Sequence, residues 1–241
     1  MMKRTKLAVA VLGVCYVIPV FAAEAPAAAP APAFTPSANV GIFSDYIFRG
    51  VTQTGTQPAL QGGFDLAHSS GAYVGVWSSS ISWLSDSGTA TNAGTEFDTY
   101  AGYKGEAAGL GYDVGFLKYN YPGNFGTNPS ADTTEVYGAI TYSIVTAKVS
   151  YSLGDLAFTT TDSKGSTYME LNAVYPIGET GYSLGAHYGK TKVTNHSASD
   201  YSDYKLSVSK DFGGYVIGFA YNDTDITGHK ATTIASLSRT F

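Results

Sequence analysis

The chain has 241 residues and a formal charge of −5, with 44% apolar residues and only 14% charged ones. The length allows one domain of ordinary size; the negative charge rules against a nucleic-acid binder and gives no reason to expect a basic membrane-surface patch. A mean hydropathy of −0.02 is too low for a bundle of membrane helices, whereas 28 Gly, 19 Tyr and few charges suit strands with one face in lipid and one in water. A secreted β-sandwich is the competing all-β class.

Lys3, Arg4 and Lys6 precede an apolar run from Leu7 to Phe21, the form of a secretory signal peptide ending at about residue 23. The run is short for a spanning helix and Pro19 interrupts it. Cys15, the sole cysteine, lies inside it, and Val14 is the wrong size for a lipoprotein site. Residues 24–36 are almost all Ala and Pro and read as an extended periplasmic tether.

From residue 37 onward, apolar and polar residues alternate in stretches of about ten, the length that crosses a bilayer at a tilt. Roughly twelve strands are expected between residues 37 and 241. Side chains two apart share a strand face, so one apolar face is assigned to each. The first strand (38–48) shows Val40, Ile42, Tyr46 and Phe48. The second (59–68) shows Leu60, Phe64 and Leu66, and the third (72–84) Tyr73, Trp77, Ile81 and Trp83. Strands 95–104, 109–121 and 133–144 carry Phe97 and Tyr103, then Tyr112, Val114 and Phe116, then Val136, Ile140 and Tyr142. Strands 147–153, 166–177 and 181–191 carry Val149 and Tyr151, Leu171 and Tyr175, and Leu184 and Tyr188. The last three, 201–211, 214–222 and 231–241, carry Leu206 and Val208, Ile217 and Phe219, and Leu237 and Phe241. Tyr46, Tyr103, Tyr182, Tyr204, Tyr215 and Tyr221 fall near strand ends, where a headgroup-level aromatic girdle would lie.

Connections alternate in length. Segments near 49–58, 84–94, 122–132, 154–165, 192–200 and 223–230 are long and polar, with brief turns between them. Outer-membrane barrels have short periplasmic turns and longer outer loops; a sandwich has no reason to keep the alternation. The fold expected is an all-β, antiparallel up-and-down transmembrane barrel of about twelve strands in the outer membrane of a Gram-negative bacterium. The terminal aromatic Phe241, with Leu237 and Ala235 upstream, fits a strand handled by the barrel-assembly machinery, whereas Arg239 does not fit it.

The stretch Ser44-Asp45-Tyr46-Ile47-Phe48-Arg49-Gly50-Val51-Thr52-Gln53 resembles the opening signature of the TorF-type porin family, a group of conserved hypothetical proteins. Gln57-Pro58-Ala59, Gln61-Gly62-Gly63-Phe64-Asp65 and Gly71 to Ser79 continue the resemblance, which loosens beyond about residue 140. It implies a Gram-negative outer-membrane barrel with a pore role and carries over no substrate.

With the apolar faces toward lipid, Asp45, Arg49, Asp65, Glu96, Asp98, Asp113, Glu135, Lys148, Glu170, His187 and Lys205 face the lumen. Acidic groups predominate, and a carboxylate lining raises local cation concentration, so a weak cation preference is expected. The alternative is that these charges pair across the lumen and hold its shape. Arg49 is the leading constriction candidate, with Asp45 on the same face; an ion pair fixing the first hairpin is its structural alternative. Small residues at Gly63, Gly102, Gly115, Ala139, Ser150, Gly185 and Gly218 leave room for a narrow water-filled channel. The expected partners are outer-membrane lipid and small polar solutes or ions. A non-conducting structural or adhesive barrel is the second reading.

Enzyme signals are weak. His68, His187, His196 and His229 are scattered, and His196-Ser197 has no carboxylate placed to orient it. Asp223-Thr224-Asp225 opens like a calcium loop, but its twelfth position is Ile234. No catalytic residue, cofactor or metal site is assigned.

Overall fold

The computed structural model of the protein describes residues 33–156 and 162–241. The expected signal peptide and all but the last residues of the expected tether lie outside them. Strand β1 (Phe34–Phe43) begins earlier than the sequence pattern indicates and takes in Phe34, Thr35 and Pro36. A miniature hairpin, β2 (Ile47–Phe48) and β3 (Val51–Thr52), follows. Next come β4 (Ala59–His68), β5 (Ala72–Ser80), a single helical turn α1 (Trp83–Asp86), β6 (Thr95–Ala107) and β7 (Leu110–Asn120). The chain continues through β8 (Thr133–Tyr142), β9 (Val145–Ser152), β10 (Thr167–Pro176), β11 (Tyr182–Lys192), β12 (Tyr201–Asp211), β13 (Tyr215–Thr224) and β14 (Thr232–Thr240).

All of these strands except β2 and β3 form one closed twelve-stranded antiparallel barrel, each strand pairing with its neighbours in sequence. The ring closes where β1 meets β14, with Asn39 opposite Thr240 and Phe43 opposite Ser236. Phe241 and Ala38 exchange both backbone hydrogen bonds beyond that ladder, at 2.8 and 3.2 Å. Closure removes every edge of the barrel sheet, so none of its strands is left with an unpaired backbone row.

The outward face is apolar and exposed around the whole ring. Leu60, Phe116, Ile140, Tyr175, Leu206 and Phe219 are each more than half exposed. The inward face is polar, and its side chains alternate with these along every strand. All short turns gather at one end of the barrel and all long connections at the other. Ala108 and Gly109 make a two-residue turn with left-handed φ at both positions (52° and 77°), as a type I′ hairpin requires.

Two sequence expectations about the outward face fail. The first strand stops at Phe43, so Tyr46 and Phe48 do not face outward; Tyr46 is buried. In β5 the exposed residues are Val74 and Val76, while Tyr73 and Trp77 point inward. Ile81 and Trp83 lie beyond that strand, in the loop and α1. Tyr73, near the short turns, is held inward by its hydrogen bond to Asp113. For the others the inside of the barrel at the long-loop end is packed rather than hollow, so apolar side chains are stabilised on either face. Tyr46, Ile81, Leu84, Ala93, Tyr119 and Tyr121 form a buried apolar cluster there, flanked by Phe48, Trp77 and Trp83.

Candidate functional site

The site is the lumen together with the segment Ser44–Pro58, which does not arch outward but folds into the barrel mouth. Its hinge is fixed to β14, where the Ser44 N–H donates to the Ala235 carbonyl at 2.8 Å and the Ser44 hydroxyl accepts from the Ala235 N–H at 2.9 Å. Its tip is the β2–β3 hairpin, with Ile47 opposite Thr52 and Phe48 opposite Val51. Arg49 and Gly50 are the two turn residues, with φ of 47° and 80°, again the type I′ pattern. Only glycine fits the second position: a Cβ there would lie 2.7 Å from Cβ of Asp203 and 3.1 Å from Cβ of Thr224.

Side chains of the hairpin reach the wall on several sides. The Tyr46 hydroxyl donates to Oε1 of Glu96 on β6 at 3.2 Å, and its ring meets Trp77 of β5 edge-on. Phe48 packs edge-on to Tyr119 of β7. Arg49 Nη2 donates to Oε2 of Glu135 on β8 at 2.8 Å, in a pair whose side chains are both more than nine-tenths buried. The guanidinium lies 4.3 Å over the Tyr168 ring of β10 and 4.8 Å over that of Phe48. Asp45, expected on the face of Arg49, is instead used within the segment: it accepts from the Thr52 hydroxyl at 2.6 Å. The Gln53 carbonyl accepts from the N–H groups of Ser82 and Trp83, tying the first loop to the second.

The remaining expected lumen residues divide into two walls. On β4–β8 the carboxylates are met by tyrosine hydroxyls. Tyr100 donates to Asp65 at 2.7 Å and Tyr73 donates to Asp113 at 2.6 Å, with Tyr137 bonded to Tyr73. Glu96 and Asp98 are successive inward side chains, both buried, and Oδ1 of Asp98 has no hydrogen-bond partner among the described residues. The cations of this wall are Arg49, brought in by the hairpin, and Lys104, whose Nζ lies over the Tyr73 ring at 5.2 Å.

The β9–β12 wall is a mixed-charge network. Lys148 Nζ stands 3.8 Å from Oε1 of Glu170, whose other oxygen accepts from Asn172 Nδ2 at 2.9 Å. His187 bridges Asn172 and Asp203 at 2.7 and 2.9 Å, and Lys205 faces Glu170 and Asp203. The Tyr168 hydroxyl meets Asp203 as well. Asp203 and Tyr168 are members that the sequence reading missed. Asp203 could have been found as the inward residue two before Lys205.

The small lumen residues leave less room than their size indicates. A Cβ on Gly102 would lie 2.4 Å from the Tyr73 hydroxyl, and one on Gly115 would lie 2.7 Å from that of Tyr137. Rings from neighbouring strands therefore lie across these glycines. Glu96, Asp98, Glu135, Glu170 and Asp203 are all buried, Glu96 and Glu135 beneath their bonds to the inserted segment. Toward the short turns, Asp113, Asn172, Ser183 and Ser207 remain partly exposed. The expectation of a lumen wet throughout is thus corrected for its long-loop half.

Outside the barrel, Asp155 opens the segment before β10. Its carboxylate accepts from the N–H groups of Ser163 at 2.7 Å and Lys164 at 2.9 Å, which hold it below the usual carboxylate range. Among the described residues no group of three or more His, Cys, Asp or Glu is arranged to hold a metal.

No curated protein matches the chain. Solved structures similar to it include a porin refined at high resolution (16% identity, 76% of this chain and 62% of that one, TM-score 0.40). Acinetobacter baumannii OccAB3 (12%, 88% and 65%, 0.41) and Pseudomonas aeruginosa OprD (13%, 88% and 67%, 0.40) are others. The chain spans less than two thirds of the length of the first two. A family model described as a bacterial protein of unknown function (Gcw_chp) matches residues 27–240, and the chain belongs to that family.

Proposed function

We propose that this protein is an outer-membrane channel for passive diffusion of small hydrophilic solutes or ions, constricted by its first long loop and weakly cation-preferring. The observation that carries the reading is the closed twelve-stranded ring with an apolar exposed exterior and a charged, hydrogen-bonded interior. A soluble protein does not present such an exterior on every strand, whereas a bilayer-spanning barrel requires it. The resemblance to the TorF-type porins agrees with this reading, as does a Gram-negative outer membrane as its location.

Cation preference is supported by how the inward carboxylates are met. Asp65 accepts from a neutral tyrosine, so its charge is held in place rather than cancelled, whereas Asp113 accepts from Tyr73 and has Lys104 as its cross-strand neighbour. Arg49, in contrast, is matched by Glu135. A passing solute therefore meets a negative wall on β4–β8, which draws cations and repels anions.

Purified protein in a planar bilayer tests both parts: stepwise conductance is expected, with a reversal potential on the cation-selective side in a KCl gradient. Anion selectivity would remove the charge argument. The packed mouth favours one other reading, a non-conducting barrel whose outer loops bind a partner. Absence of any conductance from correctly folded protein would select it.

A further inference from the structure

Arg239 is the residue that breaks the pattern of the last strand. It lies on the outward face beside Val40 of β1 and Tyr215 of β13, its register partners. Its guanidinium carbon stands 4.4 Å from the Tyr215 ring centre and 4.8 Å from that of Phe241, while Nη1 donates to the Tyr215 hydroxyl. Nε is buried and has no hydrogen-bond partner among the described residues. Lys210 occupies the same rim on β12. Its Nζ lies 4.0 Å over the Tyr182 ring and 5.4 Å from that of Phe212, and its oxygen contact is the Thr180 carbonyl at 3.4 Å.

Among the described residues neither cation has a carboxylate within ion-pair distance, unlike Arg49 and Lys148 in the lumen. Glu179 and Asp211 lie near the same rim, and Asp211 accepts from the Gly214 N–H at 2.6 Å. So two charges face away from the barrel, steadied by aromatic rings and, among the described residues, outside any ion pair. A lipid-facing cation is costly at mid-bilayer and tolerated near the headgroups. There its natural counter-charge is a phosphate, which the guanidinium fork fits through two parallel N–H donors.

The geometry points to a binding site for an anionic glycerophospholipid on the short-turn rim between β11 and β1, in which Arg239 and Lys210 take the phosphate headgroup and Tyr182, Tyr215 and Phe241 flank it. The site rests on the bilayer-spanning part of the proposed function and not on conduction.

Native mass spectrometry of the delipidated protein, titrated with phosphatidylglycerol and separately with phosphatidylcholine, tests it. About tenfold tighter retention of phosphatidylglycerol is expected, the size of one charge-assisted contact. The R239Q/K210Q variant loses that preference, R239K keeps part of it, and K190Q/K192Q at the opposite rim leaves it unchanged. Equal retention of the two lipids by the wild-type protein overturns the site, whether or not the variants fold. So does a preference that survives in R239Q/K210Q shown to be folded by its heat-modifiable gel mobility. A barrel that fails to conduct yet keeps the preference would refute the channel and leave the lipid site standing.

Discussion

Arg49→Ala is the perturbation that reads the inserted loop most directly. The Arg49–Glu135 pair is almost fully removed from water. Deleting one member of such a pair leaves the other charge buried and uncompensated, at a cost of about 3–5 kcal/mol. Among the described residues Glu135 would keep the Tyr119 hydroxyl, 3.3 Å away. The ring contacts to Tyr168 and Phe48 are lost as well, each worth about 1 kcal/mol. Lifting the loop lets water reach Glu135 and relieves most of the pair penalty. The balance between seated and lifted loop should therefore shift by roughly two to four powers of ten, at about 1.4 kcal/mol per tenfold. In single-channel recordings the variant should show larger or more frequent openings than the wild type. Its reversal potential should move further toward cations, because one positive charge has left a mouth holding Glu96, Asp98 and Glu135. The charge-swapped pair Arg49→Glu with Glu135→Arg should return part of the closed behaviour. If the folded Arg49→Ala protein has the conductance, open time and selectivity of the wild type, the loop is not the constriction.

Removing wall charge without touching the loop should act on selectivity alone: Asp65→Asn with Asp113→Asn is expected to lower the cation-to-anion permeability ratio in a KCl gradient while leaving open time unchanged. Gly75→Val should destabilise the barrel, because the Tyr100 ring and hydroxyl lie 2.3–2.6 Å from where its Cβ would be. Overpacking of this kind costs about 1–3 kcal/mol, visible as a lower temperature for the unfolding shift on gels, and an unchanged temperature would contradict the packing described. For Asp155 the folded-state pKa lies below the ordinary value, so its tie to Ser163 and Lys164 is fully present above the unfolded pKa of about 3.9 and is lost as pH falls through the folded one. The Ser163 and Lys164 amide resonances should move together on acidification in the wild type and not in Asp155→Asn; coinciding curves for the two proteins would refute the assignment.

How much of this was legible in the sequence differs along the chain. From β6 to β14 the period-two pattern assigns the outward face correctly, because those strands have lipid-like exposure on one side and polar neighbours on the other. At β5 the same rule inverts the strand. Tyr73 and Trp77 are the bulkiest residues there, yet they are stabilised by the inserted loop and by Asp113, while the modest Val74 and Val76 face out. The hairpin Ile47–Thr52 was invisible for a related reason. Tyr46 and Phe48 continue the alternation of Val40 and Ile42, so the register reads straight through the hinge at Ser44. The turn pair is Arg49-Gly50 rather than the more familiar Asn-Gly, so it gives no hairpin signal on its own. Arg49 was singled out, but with Asp45 as neighbour; its partner Glu135 is 86 residues away, a separation no local pattern specifies. The run of aromatics at inward positions next to the long loops, Trp77, Tyr119 and Tyr121, was the available sign that this end is filled.

The meeting of the first and last strands has a bearing on how the cylinder comes into being. Its ladder, from Asn39–Thr240 to Phe43–Ser236, is the shortest in the ring. The two partners are also the most distant in sequence, so every other hairpin can zip before this one is sealed. Until then two raw borders lie open to any passing strand. Birth of the finished wall is thus deferred until β14 has been made, and the loosest stitch in the fabric is where a nascent sheet would remain open longest.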